Sequence, residues 1–316
     1  MASMSNSSAI IHPPGFYIIG FQTFPNISVY IIFLAVVYMA TLVFNAFLMY
    51  IIAIDHCLHT PKFLAVFNLA LVDIILNTTT IPSMIKVFFV KDNFIPFNLC
   101  LVQMYFYYSF VSMESYSLAI LAYDRMVAIC LPLRQNMLNT VRIILSWSFA
   151  LGVIAYAVAL MTRLSFCSSL EVLSYFCDYA PVFRLACNDY SMQWWVASML
   201  TFMLLVGPFT FIFLSYVSIL VTVFKMKSLQ SRVKALSTCV EHLILVAIFY
   251  IPLIVIFTIG FYMRLIDPDQ RVLSLSLASC IPPCINPIVY SLKTKEIKIR
   301  VLALMGKNCV EDTLKK

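Results

Sequence analysis

One segment carries charged residues close to both ends of an apolar run: Met113-Glu-Ser-Tyr-Ser-Leu-Ala-Ile-Leu-Ala-Tyr-Asp-Arg-Met-Val-Ala-Ile-Cys-Leu-Pro-Leu-Arg134. Ionisable side chains are costly in a membrane, so Glu114 and the pair Asp124 and Arg125 are expected to face the interior of a helix bundle or its cytoplasmic rim. A helix that continues upstream to Tyr107 places about five turns, or roughly 27 Å, between Tyr107 and Arg125. One helical face therefore crosses most of the membrane, and it is predicted to contain Tyr107, Val111, Glu114, Leu118 and Arg125.

The composition points to an all-α membrane protein. The 316 residues are 62% hydrophobic and only 11% charged, which is too apolar for a soluble domain. Seven apolar stretches reach the roughly 20 residues needed to cross a bilayer. They predict a seven-transmembrane helix bundle, and they leave no room for a second domain. The stretches are about 27–54, 62–90, 98–131, 141–162, 192–224, 236–262 and 270–291.

The basic residues predict the orientation in the membrane. Most of the 21 Lys and Arg residues fall on one side of the predicted spans, and that side is cytoplasmic by the positive-inside rule. The amino terminus has no Lys or Arg before Lys62, so it is expected outside. The net charge of +7 thus reflects topology in a lipid bilayer rather than nucleic-acid binding. We expect a multi-pass plasma-membrane protein with an extracellular tail at 1–26, a seven-transmembrane domain at 27–291 and a cytoplasmic segment at 292–316.

Three glycosylation sequons lie at Asn6, Asn26 and Asn77. Asn6 is the expected acceptor because it lies well outside the first span. Asn26 abuts the membrane, and Asn77 lies within a predicted span.

Polar residues inside the first two spans need partners. Asn45 could be satisfied by its own helix, whereas a buried carboxylate at Asp73 needs a cation, a proton or several hydrogen-bond donors. Between these spans, His56, Cys57 and His59 could bind a metal, but a short connector before a helix that starts at a proline is the favoured interpretation.

Four cysteines lie on the predicted outer side, namely Cys100, Cys167, Cys177 and Cys187. In an oxidising environment they predict two disulfides, and three pairings remain open. The other six are predicted to be free thiols, with no metal site among them.

Prolines predict bends in the later spans, at Gly207-Pro208 in the fifth, Pro252 in the sixth and three positions in the seventh. Residues 293–300 alternate basic and apolar side chains, which favours a short amphipathic helix on the inner leaflet over a solvated tail.

Six motifs in order resemble one family. They are Leu58-His-Thr-Pro61, Leu121-Ala-Tyr-Asp-Arg-Met-Val-Ala-Ile-Cys130, Phe176-Cys-Asp178, Lys234-Ala-Leu-Ser-Thr-Cys-Val-Glu-His242, Phe249-Tyr250 and Pro287-Ile-Val-Tyr-Ser-Leu292. Together they look like the olfactory receptors, a branch of the rhodopsin-like G-protein-coupled receptors. The resemblance runs from the first span to the end of the seventh, and Pro252 is more similar to the fish-like subgroup.

Two positions depart from the pattern of that family. Met126 stands where the family usually has a Tyr, and Phe44 stands where a Gly usually precedes the Asn of the first helix. Met126 cannot make the hydrogen bond of a Tyr, which puts the strength of coupling in question.

The resemblance implies an activation switch near the cytoplasmic side. Asp124 would hold Arg125 at rest, and Arg125 would be released toward a G protein when the sixth helix swings outward. The switch residues implied are Asp124, Arg125, Tyr216, Asn286, Pro287 and Tyr290.

The resemblance also implies a mid-membrane site for water or a sodium ion. It further implies which cysteines pair with each other. The sodium or water site would be formed by Asn45, Asp73, Glu114 and Asn286, with sodium as an allosteric modulator and no other cofactor. The implied disulfides join Cys100 to Cys177 and Cys167 to Cys187.

A ligand pocket is expected between the outer halves of helices three, five, six and seven, below the second extracellular loop. Tyr107 stands where amine receptors place an Asp, and the seventh span has no Lys before Lys293, which excludes a retinal Schiff base. Mostly apolar and hydroxyl-bearing side chains suit a small organic ligand, although each could simply pack between helices. The nominated residues are Tyr107, Tyr108, Val111, Ser112, Leu200, Thr201, Leu204, Tyr250, Leu253, Ile254, Phe257, Ser276 and Ser279.

The expected function is that of an odorant receptor. It would bind a small organic ligand and activate a heterotrimeric stimulatory, olfactory-type G protein, which raises cyclic AMP. A rhodopsin-like receptor for a non-odorant ligand is the alternative. A transporter is disfavoured because repeated halves are lacking, and no nucleophile–base pair indicates an enzyme.

Overall fold

Long helices form most of the part of the protein that the structure describes. A computed structural model describes residues 10–23, 25–130, 139–257, 267–293, 297 and 299–300. Seven long helices run through these residues at the positions predicted from hydropathy. They are α1 (Ile27–Ile54), α2 (Pro61–Met84), α3 (Phe97–Cys130), α4 (Asn139–Met161), the fifth crossing helix formed by α6 (Ser191–Thr201) and α7 (Gly207–Lys225), α8 (Leu229–Val255) and α9 (Pro268–Lys293).

Not every long helix is apolar enough to be recognised as a span by composition. Among the described residues, five helices are long and apolar enough to cross a membrane. A sixth span meets the same criteria if two helical segments, which are bent by 40° between Ser237 and His242, are counted together. The remaining long helix is α3, which contains Glu114, Asp124 and Arg125. It lies at the centre of the bundle, against α2, α4 and α7. Because its neighbours shield it from lipid, α3 can carry more polar residues than the outer helices.

Of the prolines predicted to bend a span, Pro208 lies next to a departure from α-helical geometry, whereas α8 continues through Pro252 and α9 through its three prolines. Pro61 starts α2 in its first turn, where a missing N–H costs nothing. A π-helical turn at Phe202–Val206 directly precedes Gly207 and Pro208 and divides the fifth crossing helix. A second π-helical turn, Ile85–Phe89, ends α2 just after Pro82.

The segment before α1 folds across one end of the bundle, which we call the outer end. Strand β1 (Gly15–Ile18) lies between antiparallel β2 (Phe94–Pro96) and parallel β3 (Glu171–Val172). Phe16 is fully buried beneath the sheet, in ring contact with Phe97 and Phe166. The predicted extracellular tail therefore includes an ordered strand that ties together the loops before α3 and after α4.

Several expectations lie outside the described residues. Asn6 and the side chain of Tyr290 are among them, as is most of the predicted amphipathic helix. Of that segment, Ile297 is buried, and Arg300 forms an ion pair with Asp55 at the end of α1. The backbone N–H of Cys57, and then Arg300, lower the pKa of Asp55 below its usual value.

Candidate ligand cavity and signalling core

A mostly apolar cavity lies in the outer half of the bundle. It is enclosed by α3, α4, the fifth crossing helix and α8, and it is covered by the short helix α5 (Tyr179–Phe183) of the loop after α4. The cavity volume, taken as the space open to the centre of a water molecule, is about 70 Å³. By the same measure one water needs roughly 10–15 Å³, so the cavity suits a compact ligand.

Eight of the thirteen nominated ligand residues line this cavity. Sequence reasoning missed the contributions of α4 and α5, because nothing in their apolar sequences marks a cavity wall. The eight are Tyr108, Val111, Ser112, Leu200, Thr201, Leu204, Leu253 and Phe257. The missed lining residues are Ser115, Ile154, Ala157, Val158, Tyr179, Ala180, Ala197, Leu205 and Phe249.

The seventh helix, α9, does not line this cavity, contrary to the expected placement. Aromatic side chains fill the space between α3 and α9. The Tyr107 hydroxyl bonds to Ser279 Oγ at 2.8 Å, and Tyr175 donates to the same oxygen at 3.3 Å. The Phe176 ring lies with its centroid 4.0 Å from that of Tyr107. Tyr107 and Ser279 therefore close one side of the cavity rather than opening it to α9.

The remaining nominated residues lie below or beside the cavity. The Tyr250 hydroxyl bonds to Ser115 Oγ at 2.7 Å and so joins α8 to α3 under the cavity floor. The Ser276 hydroxyl bonds to Tyr30 of α1 at 2.6 Å. Ile254 is partly buried against the core.

The loop that covers the cavity is held by covalent and ionic links. Asp178 accepts a hydrogen bond from Tyr108 and forms an ion pair with Arg271 of α9. The Asp178 side chain is only 1% exposed, so both links are shielded from water. Disulfides join Cys100 to Cys177 and Cys167 to Cys187, with Cα atoms 5.3 and 6.0 Å apart. These are the pairings that the resemblance implied.

A second polar cluster lies deeper, between α1, α2, α3 and α9. Asn286 Nδ2 donates to both carboxylate oxygens of Asp73, at 3.2 and 3.0 Å. Glu114 is fully buried, neither of its oxygens has a hydrogen-bond partner in the structure, and its carboxyl group interacts electrostatically with that of Asp73. Asn45 donates to the carbonyls of Thr41 and Pro283. Its amide N–H groups are thus paired partly by its own helix and partly by α9, whereas its Oδ1 has no hydrogen-bond partner among the described residues.

The inner end of the bundle contains the candidate switch residues. Asp124 and Arg125 are half-buried at the end of α3. The Tyr216 hydroxyl of α7 bonds to Nδ1 of His242 on α8 at 2.7 Å, and Arg125 is close enough to His242 to interact electrostatically. No role is expected for His242 from the sequence beyond its membership of a motif. Its position at the end of the Lys234–His242 motif is the signal that could have identified it.

A family model provides the decisive comparison. The model described as "Olfactory receptor" matches residues 34–308, which is most of the chain.

The chain belongs to the olfactory receptor family.

Individual olfactory receptors match along most of their length. The human protein "Olfactory receptor 1M1" is 36% identical over 269 residues, covering 83% of this chain and 84% of the relative. The human "Olfactory receptor 52K1" is 35% identical over 301 residues, covering 93% and 95%. The resemblance to the fish-like subgroup stays a prediction.

The fold of this olfactory receptor family member is that of a rhodopsin. A crystal structure of squid rhodopsin matches with a TM-score of 0.72 at 16% identity, covering 94% of this chain and 91% of the rhodopsin. The protein is therefore a seven-transmembrane protein of the plasma membrane, and its family consists of receptors rather than enzymes.

The histidine-rich turn after α1 shows no metal site in the part of the chain that the structure describes. Within that part, no group of three or more His, Cys, Asp or Glu side chains could hold a metal ion. His59 instead bonds to the carbonyl of Ala53 at 3.2 Å, as suits a connector between α1 and α2.

Proposed function

We propose that this olfactory receptor family member binds a small organic odorant in the cavity between α3, α4, α6 and α8, and that it activates a stimulatory, olfactory-type G protein, which raises cyclic AMP. The observation that carries the proposal is the apolar cavity in the outer half of the bundle, which shares α3 with Asp124 and Arg125. Its small volume favours a compact organic molecule over a peptide.

The contacts under the cavity suggest how the signal travels. Ser115 belongs to the cavity floor and bonds to Tyr250 of α8. Farther along α8, His242 contacts Tyr216 and lies near Arg125. A ligand that shifts α8 against α3 would change both contacts, because a packed helix moves as one body between discrete arrangements. Arg125 is proposed to be released toward the G protein in this movement.

The proposed orientation places the β-sheet and the loop disulfides outside the cell and the end of α3 inside. The distribution of basic residues supports this arrangement.

The test is a cyclic AMP reporter in cells that display the full-length receptor, screened with volatile and water-soluble compounds. We expect at least one compound to raise cyclic AMP, and we expect Arg125→Ala to abolish the response at equal surface expression. A response that survives Arg125→Ala would contradict the role assigned to Arg125. A response that persists in cells lacking stimulatory G proteins would contradict the proposed coupling.

We also propose a sodium ion as an allosteric modulator between Asp73 and Glu114. The residues fit, because the two unpartnered oxygens of buried Glu114 are hard oxygen ligands close to a second carboxylate. Sodium chloride should then raise the thermal stability of the purified receptor more than choline chloride does, and Glu114→Gln should remove the difference. An equal effect of the two salts on the unaltered receptor would reject the site.

A further inference from the structure

The cavity contains few polar side chains, and all of them are hydroxyls. Among the lining residues that the structure describes, none has a side-chain N–H group. A hydroxyl has one proton to donate and lone pairs that accept. Whether the cavity can donate hydrogen bonds to a ligand therefore depends on the acceptor to which each of its five hydroxyl protons is already bonded. The five hydroxyl-bearing residues are Tyr108, Ser112, Ser115, Tyr179 and Thr201.

Both tyrosine hydroxyls donate their protons to acceptors within the protein. The Tyr108 hydroxyl donates to Oδ1 of Asp178, and an ionised carboxylate can only accept. The Tyr179 hydroxyl donates to the carbonyl of Ala157 at 3.3 Å. Burial raises the pKa of the Tyr179 phenol, so this hydroxyl keeps its proton at neutral pH.

The three smaller hydroxyls donate to backbone carbonyls. Ser112 donates to the carbonyl of Tyr108 at 2.5 Å, and Thr201 donates to that of Ala197 at 2.9 Å. Ser115 donates to the carbonyl of Leu204 at 2.7 Å. Each direction is fixed, because a carbonyl oxygen has no proton to give.

We infer that the described lining of the cavity presents hydrogen-bond acceptors without a free side-chain donor, and that the cavity therefore selects compact ligands that carry a hydroxyl group over carbonyl compounds with the same carbon skeleton. This inference rests on the proposed function, in which the cavity is the ligand site.

The selection follows from the hydrogen bonds that each ligand can keep. A bound alcohol donates to a lone pair of Tyr108 or Ser112 without breaking any bond in the protein. A ketone or aldehyde has only an acceptor. It must leave its oxygen unpaired or draw a proton away from a bond that already exists, so one hydrogen bond is lost either way. We expect about a tenfold difference in affinity, which corresponds to about 1.4 kcal/mol.

Matched pairs of volatile compounds test the inference on the full-length receptor. The pairs are cyclohexanol with cyclohexanone, menthol with menthone, and benzyl alcohol with benzaldehyde. Binding is measured as the rise in thermal stability of the purified receptor with concentration, and signalling as cyclic AMP in cells. In each pair that stabilises the receptor, the alcohol should act at about a tenfold lower concentration.

A variant that supplies a donor gives the opposite prediction. Leu200 lines the cavity from α6. Leu200→Asn adds an amide with two N–H protons, of which a bond back to the helix occupies one. The preference for the alcohol should then fall to about onefold to threefold, whereas Leu200→Met, which adds no donor, should keep it.

The outcomes separate this inference from the proposed signalling. Carbonyl compounds that bind as well as their alcohols, or a panel in which no compound stabilises the receptor, would overturn the inference. An unchanged preference in Leu200→Asn at normal surface expression would do the same. Alcohols that stabilise the receptor without raising cyclic AMP would support the inference and count against the proposed coupling.

Discussion

The Tyr108 hydroxyl lies 2.5 Å from Oδ1 of Asp178 and donates a hydrogen bond to it, which joins the wall of the cavity to the loop that covers it. The other oxygen of Asp178 pairs with Arg271 of α9. A single carboxylate thus links α3, the loop and α9 at the outer end of the bundle. Because Asp178 is almost fully buried, these two partners take the place of water around its carboxylate.

Removing one member of this ion pair should be severely destabilising. Arg271→Ala leaves the buried Asp178 carboxylate without its cation, and we expect a loss of about 3–5 kcal/mol in the free energy of unfolding. Lys86 and Asp92 form an exposed pair at 3.1 Å, and Lys86→Ala should cost at most about 1 kcal/mol. Unfolding of the purified receptor by denaturant measures both. Equal losses in the two variants would show that the Asp178–Arg271 pair is not shielded from water.

A second carboxylate, that of Asp269 in α9, anchors the segment before α1. Asp269 accepts hydrogen bonds from the backbone N–H groups of Gln22 and Thr23, at 2.9 and 2.7 Å. In Asp269→Ala both N–H groups lose their acceptor. Their hydrogen exchange should accelerate about tenfold or more, which corresponds to a loss of roughly 1.4 kcal/mol or more in the free energy of local opening. Asp267→Ala is the control, because Asp267 accepts from Asp269 and Gln270 of its own helix. Equal acceleration in both variants would argue that Asp269 has no specific anchoring role.

Asn68 joins three helices in the inner half of the bundle. It donates to Ser117 of α3 at 2.8 Å and accepts from Trp147 of α4 at 2.7 Å. Hydrogen bonds between membrane helices contribute about 0.6 kcal/mol each on average, so Asn68→Ala should lower the free energy of unfolding by about 1 kcal/mol. Asn77 lies on the same helix, is equally enclosed, and donates only within α2. Asn77→Ala should therefore lower the free energy of unfolding clearly less than Asn68→Ala does. A larger loss in Asn77→Ala would contradict the stabilising role assigned to the interhelical bonds of Asn68.

The fold could be predicted because the bilayer imposes a length on every span. The seven stretches found by hydropathy overlap the seven long helices, and the 27–54 stretch has the same bounds as α1. The sixth stretch, predicted at 236–262, is offset from α8, which begins at Leu229 and ends at Val255. The proline positions also predicted where the fifth crossing helix departs from α-helical geometry. Both signals are local, so the sequence carries them without any knowledge of the packing.

The cavity was predicted only in part, because its shape depends on contacts between distant segments. The family resemblance together with helical phase nominated Tyr108, Val111 and Ser112 of α3, and these residues line the cavity. The filling of the space beside α9 depends on Tyr175 and Phe176, which belong to a loop without periodicity. Position in the sequence alone could not show that this loop would reach Ser279. The involvement of α4 was missed for the same reason.

The sheet at the outer end was likewise not predicted, and one glycine gives a direct test of it. A Cβ atom added to Gly15 would lie 2.2 Å from the carbonyl oxygen of Ile95, a backbone atom that cannot move aside without disturbing β2. Gly15→Ala should therefore separate β1 from β2 and expose Phe16, which is fully buried. We expect the free energy of unfolding to fall by about 2 kcal/mol or more, since the burial of a large aromatic side chain contributes roughly 1.5–3 kcal/mol to stability.

The control is the same substitution in α4. A Cβ atom at Gly152 meets nothing within 4 Å, and alanine is the better helix former by about 1 kcal/mol, so Gly152→Ala should leave stability unchanged or raise it. Denaturant unfolding compares the two variants, and hydrogen exchange at Tyr17 and Ile18 reports on the strand itself. If Gly15→Ala were as stable as Gly152→Ala and equally protected at these residues, the strand could not be packed as closely against Ile95 as the structure has it.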